Sequence, residues 1–190
     1  MLLFSFRPYK LAQQALGECI MSTAAYLRAR AAFYGSGAVY EDIYRKVLEA
    51  QVDVQEKQAL ARELLFKSRH ITKESTTTGR TLVMIFTDVA DLFERAMTSY
   101  HDYQLLHETF DADGMMERCR QMLVRISDEL DEIGIAVKSG DPSADTGALA
   151  TAMAETHAYF DALRKRKRTA VNVDVFIGMR QVLNSIADIV

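Results

Sequence analysis

Apolar residues return every three or four positions along most of this chain, the spacing of one face of an α-helix. Leu16, Cys19, Ile20, Thr23, Leu27 and Ala31 mark the first such face. Pro8 suits its opening turn, where a missing N–H costs nothing, and Gly35-Ser36-Gly37 closes it. A second segment covers about Val39 to Arg69, with Ile43, Val47, Leu48, Ala59, Leu64 and Leu65 as its expected buried stripe. At ~1.5 Å per residue it is roughly 45 Å long. The third and most regular segment starts at Gly79 or Arg80 and is predicted to run to about Phe110. Leu82, Ile85, Phe86, Val89, Leu92, Phe93, Ala96, Tyr100 and Tyr103 keep its period.

Asp111-Ala112-Asp113-Gly114 breaks the pattern and is expected to cap a fourth helix. Met115, Cys119, Met122, Leu123, Ile126, Leu130, Ile133 and Val137 line one side of that helix, and Ser139-Gly140-Asp141-Pro142 turns the chain. A weaker, alanine-rich fifth segment carries Leu149, Met153, Tyr159, Phe160 and Leu163. The sixth follows Arg164-Lys165-Arg166-Lys167-Arg168 and includes Met179, Val182, Leu183, Ile186 and Ile189. Val171 to Val175 alternates like a strand, but it stands alone and flows into helical spacing. The prediction is an all-α fold, an elongated bundle of about six mostly antiparallel long helices joined by short connections.

Composition agrees. Of 190 residues, 49% are apolar and 26% charged, the balance of one domain with a real core. With only 2 prolines and 9 glycines, intrinsic propensity favours helix. No stretch approaches the roughly 20 apolar residues of a membrane helix. Cys19 and Cys119 sit at apolar positions of helical patterns, without a CxxC, and read as reduced core residues.

The net charge of −3 is uneven, because the run from Arg164 to Arg168 is the one concentrated block of positive charge. Such a knot fits anionic lipid headgroups at a cytoplasmic leaflet, or a solvated helix end favoured by the helix dipole. Nucleic acid is a poorer fit, since a general binder is basic over a whole face.

Chemistry is sparse. Ser75-Thr76-Thr77-Thr78-Gly79-Arg80 lacks the GxxxxGK[ST] spacing and preceding strand of a phosphate loop, so Thr77 or Thr78 is expected to cap the third helix. Asp88, Asp91 and Glu94 with Arg80 and Arg95 are expected to form a polar network fixing that helix against its neighbours. Asp91 precedes Arg95 by four residues, the favourable order for a pair. His101 and His107 are six apart, off one helical face, and no metal or cofactor is implied. No nucleophile motif occurs, and the chain does not read as an enzyme.

Several words in the first part of the chain resemble one family. They are Arg7-Pro8-Tyr9 with Gln13-Gln14-Ala15-Leu16; Tyr26 through Tyr34; Ala61-Arg62-Glu63-Leu64-Leu65 with Ser68-Arg69; and Glu74-Ser75 through Thr78-Gly79-Arg80. Asp88, Asp91-Leu92-Phe93-Glu94-Arg95 and His101-Asp102-Tyr103 with Leu105-Leu106 complete them. Together they resemble the helical domain of FUSC-like bacterial inner-membrane proteins, the YccS/YhfK branch of the fusaric-acid-resistance-type transporters. The likeness covers most of residues 7–110 and is loose beyond about 112. It implies a single cytoplasmic helical domain spanning residues 1–190 between two transmembrane regions, with residues 1–6 as the exit of a membrane helix. The parent protein would be an exporter of aromatic acids or related compounds. This segment would then regulate or assemble it without catalysis, meeting the membrane regions, a second copy and anionic headgroups. A free-standing adaptor that binds a partner peptide between helices is the alternative reading.

Overall fold

The structure, a computed structural model, describes residues 8–37, 39–67, 77–98, 101–142 and 147–189. Among them are seven α-helices and no strand. They are α1 (Pro8–Ala31), α2 (Tyr40–Lys67), α3 (Thr77–Thr98), α4 (Tyr103–Phe110), α5 (Met115–Ser139), α6 (Ala148–Lys167) and α7 (Val173–Ala187). None of the described helices is long and apolar enough to cross a membrane. The proposed membrane exit at residues 1–6 lies outside the described residues.

Helix α1 is the axis of the bundle, packed against α5, α2 and α3. Leu16, Cys19, Ile20, Ala24 and Leu27 are fully buried. Ser22 and Thr23 are buried with them, and each hydroxyl donates to the Cys19 carbonyl at 2.9 Å. A buried hydroxyl without such a bond would cost roughly 1–3 kcal/mol. Small residues set the spacing of this helix: Gly17 meets Gly134 of α5 so closely that neither position has room for a side chain. Polar contacts fix the antiparallel register of the pair. Lys10 Nζ donates to the Lys138 carbonyl at 2.8 Å at one end, and Arg28 reaches Asp128 and Asp131, both at 2.8 Å, towards the other.

The expected third helix is two helices. α3 ends at Thr98, and Asp102 starts α4 by accepting the Leu105 N–H at 3.1 Å. Asp is a strong N-cap residue, but Tyr100 and Tyr103 continue the apolar period across the break and hide it. The acids before Gly114 do not cap α5 either. Asp111 to Asp113 form a 3₁₀ turn, Gly114 turns the chain at φ 68°, and no side chain caps the next helix. Thr77 and Thr78, the expected caps of α3, both lie inside it, and the position before the helix falls outside the described residues.

Helix α2 also departs from expectation. Ile43, Val47, Val54, Ala61 and Leu65 face the core, whereas Leu48 is 59% exposed and Ala59 is exposed too. The helix therefore carries a second apolar stripe that turns outward.

Candidate functional site

On α3 the core face is Gly79, Leu82, Phe86, Val89, Phe93 and Ala96. At 3.6 residues per turn, Asp91 lies roughly 160° around the helix from the centre of that stripe. Asp88, Asp91, Glu94, Arg80 and Arg95 are accordingly exposed. Among the described residues Asp88, Asp91 and Glu94 enter no ion pair, and Asp91 does not pair with Arg95. Arg95 donates from Nη1 to the Asp188 carbonyl at 3.0 Å, just past the end of α7.

The residues brought together instead are those of the two family-like words Tyr26–Tyr34 and His101–Tyr103. Arg30 donates to the Tyr26 hydroxyl at 3.3 Å and to the Tyr103 hydroxyl at 3.4 Å. Phe33 stacks on Tyr103 at 4.6 Å between ring centres, and Tyr34 meets Tyr103 edge-on at 5.2 Å. His101 contacts the same tyrosine ring, and its Nε2 is buried with no hydrogen-bond partner among the described residues. Burial, reinforced by the Arg30 charge, lowers the His101 imidazole to about 4. Burial holds the Tyr34 phenol well above its ordinary range. His107 extends the seam, with Nδ1 2.8 Å from Asp111 and Nε2 2.8 Å from the Phe33 carbonyl. Nothing local in the sequence shows that these stretches converge, because residues 26–34 and 101–107 are joined only by the fold. This cluster holds the end of α1 to α4. Its rings are packed together.

The basic run lies in the last turn of α6 and just beyond it. Lys167 Nζ bonds both carboxylate oxygens of Asp113, at 2.6 and 2.8 Å, and Arg166 stands 3.7 Å from the same group. Tyr159 donates to the Asp113 backbone carbonyl at 2.6 Å. Two of the five basic residues thus staple α6 to the 3₁₀ turn before α5. Arg164 lies 3.6 Å from Asp161, and Asp161 also pairs with Arg180 of α7. Lys165 and Arg168 are exposed and form no ion pair among the described residues.

Burial pushes both Cys19 and Cys119 up to about 12, so each is an inert core thiol. Among the described residues no group of three His, Cys, Asp or Glu side chains could hold a metal ion.

Comparison with known proteins gives one match. A FUSC-like family model, described as FUSC-like inner membrane protein yccS, matches residues 1–190. No curated protein and no solved structure matches the chain.

Proposed function

The chain belongs to the FUSC-like family of inner-membrane proteins, and from that premise we propose that it is a cytoplasmic regulatory and assembly domain of a transporter. The observation that carries this reading is the pairing of a family match over residues 1–190 with helices of which none described can cross a membrane. Transport of aromatic acids or related compounds would belong to membrane regions of the full-length protein. This segment would brace those regions and join copies of the protein to one another.

Support for assembly comes from α2. Leu48, Val52, Gln55, Ala59, Arg62 and Phe66 are all exposed and step by four and three residues in alternation. That is the repeat of a coiled-coil seam. Turned end for end against itself, the seam sets Leu48 opposite Phe66 of a second copy, Val52 opposite the Arg62 stem and Gln55 opposite Ala59. Contiguous exposed apolar surface is a mark of interaction sites.

The test uses the full-length protein. A reporter fused within this segment should be active only on the cytoplasmic side. Replacing the segment by a flexible linker should abolish the oligomer seen in detergent and reduce export. A periplasmic reporter signal, or an unchanged oligomer and export rate, would remove the proposal. The adaptor alternative has no specific observation behind it.

A further inference from the structure

Where α6 hands over to α7, Arg164, Arg168, Val173, Phe176, Ile177 and Arg180 line a shallow cleft of about 70 Å³. Three guanidinium groups meet here from two helices and their linker, and the chemistry they face is unbalanced. One carboxylate, Asp161, holds both Arg164 and Arg180, while Arg168 has no ion-pair partner among the described residues. Asp174, in the first turn of α7, does not line the cleft. The cleft therefore keeps two positive charges in excess.

The arginines are held in place. Arg180 lies over the Phe160 ring, 5.2 Å from its centre, and Phe160 is fully buried. The linker that carries Arg168 is pinned by Asn172, whose Oδ1 accepts the Thr169 N–H at 2.7 Å and whose Nδ2 donates to the Lys167 carbonyl at 3.1 Å. Apolar surface continues outward from the charges. Ile177 is 52% exposed and Val171, in the linker, 96% exposed. A guanidinium fork matches phosphate oxygens two at a time. A phosphate monoester carries about −1.5 to −2 at pH 7, the charge the cleft leaves uncompensated.

We infer that this cleft binds a phosphate monoester joined to an apolar body, the phosphate on Arg164, Arg168 and Arg180 and the apolar part along Val173 and Ile177. Asp161 is a positioning residue, orienting two of the three guanidinium groups. The site does not depend on the assembly reading of α2, and its failure would leave that reading untouched.

Calorimetric titration of the 190-residue protein with octyl phosphate tests it, with inorganic phosphate as the comparison. Octyl phosphate should bind, and inorganic phosphate should bind at least about tenfold more weakly for want of the apolar contact. R168A should weaken octyl phosphate about tenfold or more, the worth of a charged hydrogen bond. Arg168 is exposed, so an unchanged melting temperature is expected and shows that the variant folds. K165A removes the same charge one residue outside the cleft lining and should change the affinity less than about twofold if contact rather than diffuse charge decides. I177S should weaken octyl phosphate and leave inorganic phosphate alone. Equal losses in K165A and R168A, equal affinity for the two phosphates, or no binding would each overturn the inference. Flotation with phosphatidylcholine vesicles, with and without phosphatidate, identifies the source. Flotation that needs phosphatidate and Arg168 points to a lipid, and titration without flotation points to a soluble organic phosphate; either supports the site.

Discussion

Gly17 and Gly134 touch back to back across the α1–α5 contact: a Cβ on Gly17 would stand 2.6 Å from the Gly134 carbonyl oxygen, and one on Gly134 3.0 Å from that of Gly17. Side chains crowd the same places, Lys138 Cγ at 2.2 Å from a Cβ on Gly17 and Met21 Cγ at 2.6 Å from one on Gly134, and although these can swing away, the carbonyl oxygens behind them cannot. The pair explains how the axis helix comes so close to α5. G134A or G17A should cost about 1–3 kcal/mol, the usual range for overpacking, read as a lower urea midpoint. Gly178 on α7 is the control, because a Cβ there meets nothing within 4 Å. G178A should be neutral or stabilise by up to about 1 kcal/mol through helix propensity. Similar losses at all three glycines would show that propensity, not contact, governs the first two.

Arg95, in the α3 polar set, donates to the Asp188 carbonyl just past α7. Arg95→Ala should lower stability by about 0.5–1.5 kcal/mol, the net worth of an ordinary hydrogen bond. Asp91→Ala and Glu94→Ala should stay within about 0.5 kcal/mol, as exposed substitutions without partners do. Thermal melts of the three variants separate these outcomes, and a larger loss at Asp91 than at Arg95 would contradict the placement.

His101 gives the fold an acid sensitivity. Its folded-state imidazole is lowered to about 4, first by burial and then by Arg30, while an unfolded histidine titrates near ~6.5. Above that value both states are neutral and the group contributes nothing to the pH dependence. As pH falls below it, the unfolded chain takes up a proton that the folded chain refuses until about 4. Stability attributable to His101 is therefore lost between these two values. Urea midpoints measured across that window should fall more steeply for the native chain than for His101→Gln. Parallel slopes would mean that carboxylates elsewhere carry the whole effect.

The exposed stripe of α2 predicts self-association of the isolated domain. Val52 is 53% exposed and lies inside the seam, so Val52→Glu should leave the fold intact and shift sedimentation towards monomer at concentrations where the native chain pairs. A native chain that stays monomeric throughout would remove the seam as a contact between copies of this domain.

Much of this architecture is legible in the sequence, and the misses have physical causes. Helices α5 and α7 follow from one apolar stripe each, since one face of each is buried. Helix α1 is harder to orient, because neighbours on several sides bury it almost all round. Leu48 misled for the opposite reason: apolar spacing cannot say whether a stripe faces the chain's own core or another surface. The α3–α4 break was hidden by Tyr100 and Tyr103, which continue a helical period into a new helix. The polar set on α3 has the residue types of an interhelical network, but the helix turns those residues to solvent. The Arg30 cluster has no local signature at all, since its members come from α1 and from the start of α4.

Lys167 and Asp113 should be unequal partners. The Asp113 side chain is 9% exposed, whereas that of Lys167 is 47% exposed. Removing the lysine charge leaves a nearly buried carboxylate with only Arg166, 3.7 Å away. Neutralising the carboxylate leaves an ammonium group that water can solvate. The cost of a broken pair falls mainly on the member that cannot reach water. Lys167→Met should therefore destabilise by about 1–3 kcal/mol and Asp113→Asn by less, with the double variant close to Asp113→Asn alone. Denaturation of the three variants in a double-mutant cycle gives the coupling directly. Equal single losses that add in the double variant would show that the staple is a surface pair, and that α6 is held instead by Phe160, Leu163 and the Tyr159 and Asp161 contacts.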